Sequence, residues 1–68
     1  MKKVAQKLGE NLKRLRIERG MSQIVVANIL KVDKSYISNI ENAKNNPTLA
    51  TIERLSGALA VSVNELLK

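Results

Sequence analysis

The chain has 68 residues and a formal net charge of +6, with no Cys, no His and a single Tyr as its aromatic residue. That length is near the lower limit for a self-sufficient core, and the missing Cys and His exclude disulfide staples and soft-ligand zinc sites, so tight helix packing or a partner subunit must stabilise the fold. No apolar run approaches the roughly 18 residues of a membrane span; the basic start Met1-Lys2-Lys3 is signal-like only until Lys7 and Glu10 interrupt it, and a soluble cytoplasmic protein with no membrane partner is expected.

Val4, Leu8, Leu12 and Leu15 recur at helical spacing, and Gly20 is placed to close the helix in the left-handed conformation, which predicts α1 over about residues 3–19. Ser22 is a good N-cap for α2, about 23–30, with Val26, Ala27 and Leu30 inward. Asp33 is the next N-cap candidate and opens α3, about 34–41, with Ile37 and Ile40 inward. Only residues 31–33 separate α2 from α3, which demands a tight turn and a steep crossing. Residues 42–47, Asn-Ala-Lys-Asn-Asn-Pro, read as a loop. Thr48 caps α4, about 49–59, whose inward residues are expected to be Leu49, Ile52, Leu55 and Leu59. Ser62 and Glu65 form an S-x-x-E capping box for α5, about 63–67. With no strand pattern, repeat or linker, the expected fold is all-α: a compact five-helix bundle, one domain over residues 1–68, containing a helix-turn-helix.

The positive charge favours a polyanionic partner. One aromatic residue argues against single-stranded nucleic acid, which is held on stacking platforms, and against a membrane surface, which needs bulky aromatics opposite a basic face. The outward face of α3 carries Lys34, Ser35, Ser38 and Asn39, with no acid before Glu41. A merely solvated face more often alternates Glu with Lys. Asn pairs bidentately with adenine, Lys donates to guanine O6 and N7, and Ser adapts to either role; an acid in their place would be repelled by phosphate. This face therefore suits base reading in double-stranded DNA. Phosphate contacts are expected from Ser22 and Gln23, where the N–H groups and dipole of α2 favour an anion, and from Lys44 and Asn45 beyond α3. Ser22 also reads simply as a cap and the Asn pair as a polar loop; both readings hold together, because a cap hydroxyl leaves neighbouring N–H groups free.

Four segments in order, LRIERGMSQ (15–23), VDKSYISNIE (32–41), NPTL (46–49) and AVSVNELL (60–67), resemble the phage repressor/Cro-type helix-turn-helix family, also called the xenobiotic-response-element family. The likeness runs from about Leu8 to Leu67, and DKSYISNIE is most similar to the controller proteins of restriction–modification systems. The resemblance implies a lambda repressor-like DNA-binding domain with α3 in the major groove. It implies that Lys34, Ser35, Ser38 and Asn39 read bases, that Tyr36 lies near the backbone or groove edge, and that Gln23 touches backbone and helps orient α3. It also implies a partly buried structural ion pair between Arg16 and Glu41. A homodimer on near-palindromic operators is implied, joined through Asn46, Pro47, Leu49 and Ala50 and through Val61, Val63, Asn64 and Leu67.

Departures from the family pattern are informative. Lys31 and Ala60 stand where Gly is common; a left-handed Lys31 would cost about 1 kcal/mol, unless the turn differs. Gly57 lies inside α4. Ile17, Ile24, Val25 and Ile29 occupy usually charged positions, and read either as scattered surface apolar residues or as a second contact surface. The leading expectation is a dimeric, sequence-specific transcriptional regulator, a repressor by resemblance. A DNA-binding antitoxin, with a protein partner on the Ile24/Val25/Ile29 surface, and a helical protein-interaction module are the alternatives. No cofactor, metal or small-molecule ligand is expected, nor an enzyme: without His or Cys the carboxylates form no plausible acid–base arrangement, and no Gly-rich phosphate loop exists.

Overall fold

The computed structural model describes residues 3–68; Met1 and Lys2, which begin the basic triplet, lie outside the described residues. Ser22, Thr48 and Ser62 each accept a hydrogen bond from a backbone N–H three residues on, and so fix the starts of α2 (Gln23–Leu30), α4 (Leu49–Leu59) and α5 (Val63–Leu67). Ser62 and Glu65 complete the capping box. α1 runs Val4–Glu18, with Lys3 and Arg19 as its flanking caps rather than helical residues. α3 runs Lys34–Glu41. Asp33 occupies its N-cap position in extended backbone, but its side chain makes no capping bond; the residue is exposed and lines the surface between α3 and α4.

The first four helices close in the same way. The residue just past the last turn is left-handed at Gly20 (φ 67), Lys31 (φ 60), Ala43 (φ 59) and Ala60 (φ 56). The N–H groups of Met21, Val32, Lys44 and Val61 then reach back to Arg16 O, Ala27 O, Asn39 O and Ser56 O. Only the first closure has the glycine that this conformation favours.

Leu8, Leu12 and Leu15 of α1, Val26, Ala27 and Leu30 of α2, Ile37 and Ile40 of α3, Ile52, Leu55 and Leu59 of α4 and Leu66 of α5 form one core. α3 packs on α1 and α2, α4 on α2 and α5, and α5 on α1. Leu49, expected inward, is 63% exposed, and Val4, the first residue of the α1 apolar spacing, is 66% exposed. Each lies in the first turn of its helix, beyond the stripe that the neighbouring helices cover. The surface apolar residues Ile17, Ile24, Val25 and Ile29 are exposed. No helix among the described residues is long and apolar enough to cross a membrane.

Two glycines differ in what surrounds them. A Cβ on buried Gly9 would lie 2.6 Å from both Ile40 O and Glu41 O, so α1 meets the end of α3 backbone to backbone. A Cβ on Gly57 would meet nothing within 4 Å. Gly9→Ala should therefore destabilise by about 1–3 kcal/mol through overpacking, and Gly57→Ala should stabilise by about 1 kcal/mol through helix propensity. Ala60→Gly, which relieves a left-handed Cβ, should also stabilise, by about 1 kcal/mol. Urea midpoints measure all three at once.

Candidate nucleic-acid interface

Glu41 ends α3 and points back into the molecule, with its side chain 3% exposed. Arg16 of α1 approaches it side-on: Nε donates to Oε2 at 2.7 Å and Nη2 to Oε1 at 3.2 Å. Nη1 of the same guanidinium, whose side chain is 11% exposed, donates to Met21 O at 2.9 Å. Gln23 Nε2 adds a bond to Oε1 at 3.0 Å. A buried carboxylate thus meets a bidentate cation and a neutral donor, the arrangement that burial of charge demands. The cluster joins α1, α2 and α3 at the carboxyl end of α3, beside the Gly9 contact. Gln23, expected both to touch the DNA backbone and to help orient α3, turns its amide inward to Glu41.

With its acid withdrawn, α3 presents polar groups outward. Lys34 and Ser35 are exposed, and Tyr36, Ser38 and Asn39 are half-buried. Ser38 Oγ accepts a long bond of 3.4 Å from Asn42 Nδ2. An open cleft of about 490 Å³ lies beside α3, lined by Asp33, Ser35, Tyr36 and Asn39 on one side and by Thr51 and Arg54 of α4 on the other. Thr51 and Arg54 are not anticipated around this face, because nothing local in sequence joins α4 to the start of α3; Asp33 is placed there by its N-cap position. Around α3, Ser22 Oγ accepts from Val25 N–H at 3.1 Å as a cap; Lys44 is exposed and Asn45 half-buried in the loop that follows.

The residues expected to join two copies fall into two kinds. Asn46, Leu49, Ala50 and Asn64 are exposed, whereas Pro47, Val61, Val63 and Leu67 are half-buried. Val61, Val63 and Leu67 pack partly against the core.

The helix-turn-helix family matches residues 12–66. The immunity repressor of Bacillus phage phi105 is 34% identical over 87% of this chain and 41% of its own length. Control protein C.MunI from a Mycoplasma species is 36% identical over 97% of this chain and 90% of its own. The chain thus spans under half of that repressor but nearly all of that control protein. Among solved structures, the restriction–modification controller protein C.Esp1396I, a tetramer in complex with its natural 35 base-pair operator, superposes with a TM-score of 0.82 at 30% identity over 100% of both chains.

Removing one member of the buried pair leaves the other without a counter-charge. Glu41→Ala or Arg16→Ala should each destabilise by about 3–5 kcal/mol. The double replacement Arg16→Met/Glu41→Leu should cost clearly less than the sum of the two single losses, as read from urea unfolding of all variants. Additive losses would mean that the pair is not coupled.

Proposed function

The chain belongs to the helix-turn-helix family, and from that membership we propose that it is a sequence-specific double-stranded DNA-binding transcriptional regulator, acting as a homodimer on near-palindromic operators with α3 in the major groove. The observation that carries the proposal is the division of α3. Its one acid is folded back onto Arg16, while Lys34, Ser35 and Asn39 turn polar groups outward that have no side-chain partner among the described residues. Base edges supply the missing partners: adenine for Asn39, guanine for Lys34, and either for Ser35 and Ser38. The relative C.Esp1396I, matched along its whole chain, is a tetramer on its operator.

Backbone contacts flank this face. Ser22 caps Val25 N–H, which leaves the N–H groups of Gln23 and Ile24 at the start of α2 for a phosphate. Lys44, with Asn45, reaches a phosphate beyond the end of α3, and Tyr36 lies at the groove edge. Exposed Leu49 and Ala50, with Asn46 and Pro47 before them, supply one part of the dimer contact, and Val61, Val63, Asn64 and Leu67 the other. The function is reversible binding, with no catalytic step, in the cytoplasm where the DNA lies.

Operator selection followed by two substitutions tests the division of roles. Asn39→Ala should relax specificity at one base pair per half-site by about 1–3 kcal/mol. Lys44→Ala should weaken every duplex alike and lower the salt slope by about one. Identical behaviour of the two variants on all duplexes would refute the assignment. In sedimentation equilibrium, Leu49→Glu should shift the wild-type dimer toward single chains; an unchanged dimer would remove Leu49 from the contact.

A further inference from the structure

The two ends of α3 are held by different means. The carboxyl end is fastened through Glu41 to Arg16 and Gln23, and its backbone rests against Gly9. The amino end, which carries Lys34 and Ser35, has neither device. Its N-cap residue Asp33 makes no side-chain cap bond, and it hangs from the turn at residues 31–33, which begins with Lys31 in a left-handed conformation without glycine.

A side chain from outside the helix-turn-helix reaches the residue just before this turn. Arg54 of α4 donates from Nη2 to Leu30 O, the carbonyl of the last residue of α2. That carbonyl is among those a helix end leaves without an intrahelical partner, and a cation there also meets the negative end of the helix dipole. Arg54 thus pins the point from which the turn departs, and it does so from the far wall of the cleft that Ser35 and Tyr36 line. α4 is also the helix whose first turn exposes Leu49.

We propose that Arg54 is a positioning residue for DNA reading: through Leu30 O it sets where the amino-terminal half of α3 lies, and so governs discrimination at the base pairs read by Lys34 and Ser35. The inference rests on the DNA-reading role of α3. It assigns Arg54 no contact with DNA.

The test uses the selected operator and the full set of its single-base variants. Lys34→Ala, Ser35→Ala and Asn39→Ala first locate the base pairs that each side chain reads. Arg54→Met keeps an unbranched apolar stem and removes the donor. It should then lower discrimination about fivefold or more at the Lys34 and Ser35 positions and leave the Asn39 position within about twofold. Arg54→Lys, which keeps a donor and the charge, should restore most of the loss. Circular dichroism melts set a temperature at which each variant is folded; if Arg54→Met lowers the folded fraction, Arg54→Leu, which likewise has no donor, carries the same expectation. A merely structural role would weaken all duplexes by one factor, and a phosphate contact would do so with a smaller salt slope; either result overturns the proposal. If Lys34→Ala and Ser35→Ala relax no base pair, the reading role of that half of α3 fails. If they do and Arg54→Met spares those positions, only the role of Arg54 fails.

Discussion

A carboxylate almost wholly removed from water must have its charge matched and its oxygens bonded, and Glu41 obtains both from α1 and α2 at once. Arg16 meets it bidentately, and the third nitrogen of the guanidinium is used on Met21 O, in the segment where α1 gives way to α2. Three helices therefore share one polar joint. Ile37 and Ile40 anchor α3 by packing, but packing is non-directional. The joint fixes the rotation of α3 about its own axis, and with it the set of side chains that face outward.

The joint also explains the electrostatics of the outward face. An acid at the end of α3 would oppose a phosphate backbone if it were turned to solvent. Folded against Arg16, it leaves Lys34 and the neutral Ser35, Ser38 and Asn39 as the outward groups of the helix. Gly9 makes the same joint possible on the apolar side, since any Cβ there would collide with the last carbonyls of α3. Stability and the choice of outward-facing side chains are thus linked through one helix end, while the other end depends on the turn at residues 31–33.

Much of this was legible in the sequence because it is local. Ser22, Thr48 and the Ser62–Glu65 box mark helix starts through bonds that span three residues, and the helices begin where they say. Asp33 marked its start correctly by position, although the carboxylate does not make the cap bond. Periodicity identified the apolar stripes but not their extent: Val4 and Leu49 keep the spacing, yet their helix ends run past the covering neighbours. Contacts between residues distant in the chain left no local trace. Gly9 against residues 40 and 41, and Arg54 on Leu30 O, depend on how helices cross. The Arg16–Glu41 pair has the same long reach, and it was visible only through the resemblance to known repressors. Lys31 and Ala60 replace expected glycines and still adopt the left-handed closure, since the two back-bonds of each closure hold the backbone there.

The central claim is that the outward face of α3, set by the Glu41 joint, meets the bases. Titrating the isotopically labelled chain with a selected operator duplex, and separately with a scrambled duplex of equal length, measures this residue by residue through amide chemical shifts. With the operator alone, the largest changes should fall on the Asn39 side-chain amide and on the backbone of residues 34, 35, 38 and 39; the Arg16 guanidinium signals should stay in place, and both duplexes should move Lys44. Equal changes with the two duplexes, or changes centred on α1 and α5 with α3 unmoved, would contradict the account.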